Sequence, residues 1–362
     1  MKKSLLELNE SEMTELMRSV GEPTFRARQL FENLYSGKSF DDMTNIPSAL
    51  RDKLKINYTD IPAKIEKKFF SKDGTVKYLF SLDDGELVEG VLMTYKYGKT
   101  LCISTQIGCR MGCVFCASGI GGLKRNLTSA EMLAEIITVN ADNACGKDRA
   151  VTNVVLMGSG EPLDNFDNTE RFLRLISAPY TLNISERNIS LSTSGIVDGI
   201  RALADTGHKF NLTISLHAPC DEIRNKIMPI NKKYDIAGVI SAAKYYFEKT
   251  KRRLIFEYSL IEGINDGAEN ARLLCKLLKG LPCHVNLIKL NSVKGKNLRA
   301  SGNDDIKEFL SILNTGGISS TLRRIMGVDI EGACGQLRRR FAGCNDTTHS
   351  DKEGEQPQHT GV

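Results

Sequence analysis

The sequence predicts an α/β fold: a partial (β/α)6 barrel with a small helical N-terminal domain and a short β-hairpin extension. Three observations predict it. From about Thr100 to Leu290, β-rich runs alternate with helical patterns. Between Ile61 and Tyr97, strand-like runs break at Asp73-Gly74 and Asp84-Gly85, dipeptides that favour hairpin turns. Ahead of these, apolar residues recur at helical spacing.

The elements follow in order. Ser11 to Val20 places Met13, Leu16, Met17 and Val20 on one helical face and stops at Gly21. Phe25 to Tyr35 follows Pro23 and stops near Gly37. Charges in residues 1–60 nearly cancel. After the hairpins, strands are predicted at Leu101–Gln106, Asn153–Met157, Ile189–Thr193, Leu212–Leu216, Leu254–Leu260 and Val285–Leu290. Helical patterns lie between them at Ser129–Val139, Ile236–Phe247 and Ala268–Leu278. Repeated β-then-α units require parallel strands joined by crossover helices. A partial barrel suits six such strands, with an ordinary doubly wound sheet as the alternative. The reading divides the chain into residues 1–60 (helical accessory domain), 61–98 (hairpin linker), 99–335 (barrel core) and 336–362 (basic, then disordered, tail).

The chain has 362 residues, 41% of them hydrophobic, enough for one large core with an accessory domain. Its net charge of +5 is compatible with an anionic partner without specifying one. No stretch approaches the roughly 20 apolar residues that cross a bilayer, and no signal peptide is recognisable, so a cytoplasmic protein without membrane contact is expected. Ten cysteines in such a chain point to metal or thiol chemistry rather than disulfides. Cys145, Cys220, Cys275, Cys283 and Cys344 show no spacing pattern and read as packing residues.

Chemistry concentrates in Cys109-Arg-Met-Gly-Cys113-Val-Phe-Cys116. Three thiolates at this spacing can hold three irons of a 4Fe–4S cluster and leave the fourth open to chelate S-adenosylmethionine (SAM). Structural zinc normally takes four ligands, often from paired knuckles, and no second knuckle exists here. Four-cysteine ferredoxin spacing is also different. The loop follows a strand, which would place it at the mouth of the barrel. Gly158-Ser159-Gly160-Glu161-Pro162 follows the next strand. Its glycines permit close backbone approach, and its carboxylate can accept from an ammonium group.

With these motifs the chain resembles the RlmN/Cfr family of radical SAM RNA methyltransferases over most of its length. The matching runs are Gln106-Ile-Gly-Cys, Gly122-Leu-Lys-Arg-Asn-Leu-Thr, Gly160-Glu-Pro, Leu191-Ser-Thr-Ser-Gly, Ser215-Leu-His-Ala-Pro, Met228-Pro-Ile-Asn-Lys-Lys-Tyr and Ala333-Cys-Gly-Gln-Leu. The resemblance implies that Gly160, Glu161, Ser192, Ser215, Leu216, His217 and Asn291 contact SAM. It implies that Cys334 is itself methylated, that Cys102 resolves the intermediate, and that Glu89 is an acid–base carboxylate. Departures are Lys289 and Ser292, where prolines are usual, and Glu331-Gly332, where Asp and Ala are usual.

The implied reaction is methylation at adenine C2, an electron-poor carbon that cannot attack a sulfonium directly. The substrates would be 23S rRNA at the peptidyl-transferase centre and the adenosine next to the tRNA anticodon. Two SAM molecules would be used per turnover, through a methyl group carried on Cys334. An electron donor such as flavodoxin or ferredoxin and a monomeric enzyme complete the expectation. Lys124-Arg125, Lys232-Lys233, Lys251-Arg252-Arg253, Arg323-Arg324 and Arg338-Arg339-Arg340 are expected to meet RNA phosphates. Three rivals stay open: C8 methylation of the same rRNA adenosine giving antibiotic resistance, a radical SAM enzyme acting on a non-RNA substrate, and a zinc-stabilised RNA-binding module.

Overall fold

The computed structural model describes residues 2–143, 149–293 and 295–337. The predicted tail from residue 338 onward, including the Arg338–Arg340 triplet and Cys344, lies outside the described residues, as does Cys145.

Among the described residues ten strands form one sheet: β1 (Ala63–Phe70), β2 (Val76–Leu82), β3 (Leu87–Tyr95), β4 (Gly98–Ile103), β5 (Val151–Leu156), β6 (Ile189–Thr193), β7 (Asn211–Ser215), β8 (Leu254–Leu260), β9 (Cys283–Lys289) and β10 (Ser320–Leu322). Their spatial order is their chain order. β1 to β4 pair antiparallel, and β4 to β10 pair parallel. The hairpin strands continue the same sheet through the β3–β4 ladder.

Among the described residues ten helices accompany these strands: α1 (Glu10–Ser19), α2 (Phe25–Tyr35), α3 (Ser48–Asn57), α4 (Ser129–Asp142), α5 (Phe166–Ser177), α6 (Val197–Asp205), α7 (Asp221–Ile227), α8 (Ile236–Thr250), α9 (Ala268–Leu278) and α10 (Asn303–Thr315). α4, α5, α6, α8, α9 and α10 supply the crossovers between successive parallel strands. α1 starts on a reciprocal capping box, in which Asn9 accepts from Glu12 N and Glu12 accepts from Asn9 N. α4 buries nearly its whole circumference, because the strands lie on one side and the Leu5–Glu7 turn on the other. This packing, together with Arg171 of α5 donating to the Glu7 carbonyl at 2.7 Å, fixes the N-terminal helices to the barrel.

Two predictions of local structure need correction. Leu101–Gln106 is not one strand. Thr105 N and Gln106 N donate to Ser159 O at 2.8 and 3.1 Å, which draws the chain out of the ladder after Ile103. Gln106–Ile107 then pairs with Arg125–Asn126, bracing both ends of the cysteine loop. β10 has no counterpart among the predicted strands, since Ser-Thr-Leu is too short and too exposed to show a pattern. The strands predicted to end at Met157, Leu216 and Leu290 end one residue earlier, where the chain turns into the mouth.

Candidate active site

At the C-terminal ends of the parallel strands lie two cavities that meet at Met157, Ile288, Asn291, Arg323 and Cys334. Cys109, Cys113 and Cys116 line the larger one. Their loop is tightly built. Gly108 has φ +76°, and a Cβ there would lie 1.9 Å from Gly122 O, so only glycine fits. Burial pushes the Cys109 thiol up to about 12 and raises Cys113 as well. Such thiols keep their protons unless a metal centre takes up the thiolate charge. Among the described residues no three His, Cys, Asp or Glu side chains are grouped to hold a single ion. A cube needs no such convergence, because each iron takes its own thiolate, and the donor set fits a 4Fe–4S cluster with one open iron.

The opposite wall of this cavity carries Gly160, Glu161, Ser192, Ser215, His217 and Asn291. Gly158 and Gly160 do more than admit a ligand. A Cβ on Gly158 would lie 2.6 Å from Ile103 O, and one on Gly160 would lie 2.7 Å from Gln106 N. Both glycines let the β5 turn nest against the end of β4. Glu161 is buried; it accepts from Ser194 N at 2.6 Å and Leu163 N at 3.1 Å. Burial nevertheless holds its carboxyl above the usual range. An arriving ammonium group would relieve that penalty. His217 sits at φ +55°, with Nδ1 accepting from Ser259 N at 2.9 Å and its ring edge-on to Phe115. Burial, with Arg224 adding to it, lowers its pKa to about 3. The ring is therefore neutral, with its proton on Nε2. Leu216 does not line the cavity; its side chain lies in the hydrophobic core.

Cys102 and Cys334 line the smaller cavity together. Cys102 projects from β4 between Val91 of β3 and Val155 of β5, and burial raises its thiol strongly. Cys334 lies on an irregular segment pinned at several points. Asn291 Nδ2 donates to Cys334 O at 3.0 Å, Ala117 N to Gly335 O at 2.7 Å, and Ser118 Oγ to Leu337 O at 2.7 Å. Gln336 braces the same segment, accepting from Ala333 N at 3.0 Å and donating to Ser292 O at 3.1 Å. Cys334 itself is open to solvent; crowding by the surrounding groups raises its thiol, and the Arg323 guanidinium beside it works in the opposite direction.

Glu89 shares a face of β3 with Val91, Met93 and Tyr95, which line the smaller cavity. It is 2% exposed, with Lys77 Nζ 3.5 Å from its Oε1. Lys77 also reaches Glu331 O at 3.4 Å, linking this pair to the Cys334 segment.

Several expected RNA contacts are placed otherwise. Arg323 points into the site, donating to Glu257 Oε1 at 2.6 Å. Lys124 pairs with Glu86, and Arg125 with Asp84 and Glu131. Lys251-Arg252-Arg253 precedes β8 and so lies at the far end of the barrel from the mouth. Lys232 and Lys233 are exposed next to the cysteine loop, where Pro229 packs against Gly112.

Sequence reasoning missed Arg224, Ser194, Glu257, Lys77 and Gln336. Gln336 and Ser194 carried a signal, as parts of Ala333-Cys-Gly-Gln-Leu and Leu191-Ser-Thr-Ser-Gly. Asp221-Glu-Ile-Arg224-Asn-Lys reads as an ordinary surface helix, yet Arg224 is fully buried.

Comparison with known proteins agrees with this geometry. Residues 103–275 match the Radical SAM superfamily, and residues 3–59 match the ribosomal RNA large subunit methyltransferase N-terminal domain. A probable dual-specificity RNA methyltransferase RlmN from Clostridium perfringens (strain 13 / Type A) is 49% identical over 94% of this chain and 97% of its own length. Its counterpart from Clostridium novyi (strain NT) is 48% identical, covering 94% of this chain and 98% of its own. The crystal structure of a radical SAM methyltransferase from Sphaerobacter thermophilus superposes with a TM-score of 0.89 at 40% identity, covering 92% of this chain and 98% of that one. The chain belongs to the RlmN family of dual-specificity RNA methyltransferases, radical SAM enzymes that use a 4Fe–4S cluster and SAM.

Proposed function

We propose that this enzyme methylates C2 of a specific adenosine in 23S rRNA, at the peptidyl-transferase centre, and C2 of the adenosine next to the anticodon in tRNA. The observation that carries the reading is the placement of Cys334. It faces both the cavity lined by Cys109, Cys113 and Cys116 and the cavity that holds Cys102. A methyl group on that sulfur can be loaded on one side and delivered on the other.

Cys109, Cys113 and Cys116 would hold the cluster. When bound, it supplies the electron that cleaves SAM reductively. Glu161 would accept from the SAM ammonium group, while Ser192, Ser215, His217 and Asn291 line the remainder of its site. Cys334 takes a methyl from a first SAM as a thiolate, the form that Arg323 favours. A second SAM is consumed in activating that methyl for addition to the ring. Glu89 holds or releases the ring proton. Cys102 then attacks the Cys334 sulfur, forming a disulfide and freeing the methylated base.

Further parts of the reading have their own support. The helices of residues 3–59 match a family domain named for ribosomal RNA and serve here as an RNA-docking element. Among the described residues no helix is long and apolar enough to cross a membrane, and RNA substrates of this kind support a cytoplasmic location. It works as a monomer with flavodoxin or ferredoxin as reductant.

The test supplies methyl-labelled SAM and reductant to the reconstituted enzyme with 23S rRNA fragments or tRNA, then identifies nucleosides by mass spectrometry. Labelled 2-methyladenosine from both RNAs is expected, and none from Cys334→Ala. 8-Methyladenosine would replace the C2 assignment, and label that reaches RNA without passing through the Cys334 sulfur would sink the mechanism.

A further inference from the structure

Arg224 heads the fully buried side chains by volume, yet none of its hydrogen bonds reaches a carboxylate. Nε donates to Leu216 O at 3.1 Å. One terminal nitrogen donates to Asn231 Oδ1 at 2.8 Å and Tyr234 O at 3.3 Å, and the other to Ser194 O at 2.6 Å and Ser215 O at 3.1 Å. A buried cation bonded only to neutral oxygens is costly unless negative charge stands close by.

Two features say what that charge is for. Three of the carbonyls it gathers, those of Ser194, Ser215 and Leu216, lie along the SAM-side wall. Ser194 N bonds Glu161, while Ser215 and Leu216 lead into His217. A Cβ on Gly195 would lie 3.2 Å from its guanidinium, so the backbone closes over it. Next, α7 delivers the charge behind the cysteine loop. Ile227, at the end of α7, accepts from Val114 N at 3.0 Å, beside Cys113. Asp221, on the same helix, is the acid whose charge acts on it. It stands one relay away, its Oδ1 accepting from Asn231 Nδ2 at 2.8 Å and from Ile236 N at 2.9 Å.

We propose that Arg224 is a positioning residue that acts in two ways. It fixes the wall that receives SAM, and its buried charge sets the redox poise of the cluster held by Cys109, Cys113 and Cys116. Reduction adds one negative charge to the cluster, and a fixed cation in a low-dielectric surround favours the reduced form. This rests on the three loop cysteines holding the cluster.

The test is a redox titration of the reconstituted holoenzyme followed by electron paramagnetic resonance, alongside SAM affinity by calorimetry. Arg224→Gln should lower the ratio of reduced to oxidised cluster at a fixed potential at least tenfold, about 59 mV for one electron. Arg224→Lys keeps the charge but loses the fork; its midpoint should stay near the parent's while SAM binds at least tenfold more weakly. Asp221→Asn keeps the Oδ1 acceptor and removes the partial neutralisation, so its midpoint should rise. It carries the electrostatic test alone if Arg224→Gln does not fold. Parental midpoints in the folded neutral variants overturn the redox role, and parental SAM affinity in Arg224→Lys overturns the positioning role. A parent whose iron and sulfide counts show no cluster overturns the cysteine assignment, and this inference with it.

Discussion

The Ser118 hydroxyl donates to the carbonyl of Leu337 at 2.7 Å, a bond between residues 219 positions apart that lies wholly inside the protein. It fastens the cysteine loop to the segment bearing Cys334. Ser118→Ala leaves a buried carbonyl short of a donor, a loss of about 1–3 kcal/mol. Faster amide exchange at residues 333–337, with little change at the strands, is the expected outcome. Unchanged exchange there would show that the segment is held by its other anchors.

Glu161 offers a sharper test of the SAM wall. Glu161→Gln keeps an acceptor for Leu163 N or Ser194 N but removes the charge that an ammonium group would meet. A charged hydrogen bond is worth about 1.5–3 kcal/mol, so SAM affinity should fall roughly tenfold or more. Calorimetry on the reconstituted enzyme checks this, and parental affinity would remove Glu161 from the SAM site.

His217 makes acid stability measurable in the apoprotein. Its folded pKa, about 3, lies below the ordinary value of 6.5. Between these values the unfolded chain binds a proton that the folded chain refuses, so unfolding is favoured as pH falls. Stability is fully present above about pH 6.5 and declines by up to about 1.4 kcal/mol per pH unit towards pH 3. Denaturant titrations at several pH values should show this slope, and His217→Gln should flatten it.

Cys102→Ala removes the thiol that would release product. Incubation with SAM, reductant and RNA should leave RNA covalently attached to Cys334, visible as a nuclease-sensitive shift on a denaturing gel. Normal multiple turnover by this variant would assign the release step elsewhere.

Part of this site was legible because its chemistry is local. Cys109, Cys113 and Cys116 share one loop, and Gly160-Glu161 follows directly on a strand, so spacing alone carried the reading. Barrel strands β6 and β8 matched their predicted limits, since Ile189, Leu191 and Thr193 alternate with serines and Leu254–Leu260 is rich in apolar and aromatic residues. What stayed hidden is made by residues far apart in the chain. Arg224 becomes a core residue only when the carbonyls of Ser194 and Ser215 close around it. Lys77 meets Glu89 across a hairpin, and Arg323, just past β10, meets Glu257 of β8 two strands away. Basic clusters misled for the same reason. Lys251-Arg252-Arg253 looks in sequence like any other phosphate clamp, and only the strand direction puts it at the wrong end.

Cys102 belongs to a strand laddered on both sides, to Val91 and to Val155, whereas Cys334 is carried by an unladdered segment. One sulfur is thus a fixed post and the other rides a tether. In the proposed release step, any backbone movement that brings the pair together would be made by the tether, against its hydrogen bonds at Gly335 and Leu337. If carbon travels on Cys334 as proposed, how long those moorings hold would set how long it has to find its base.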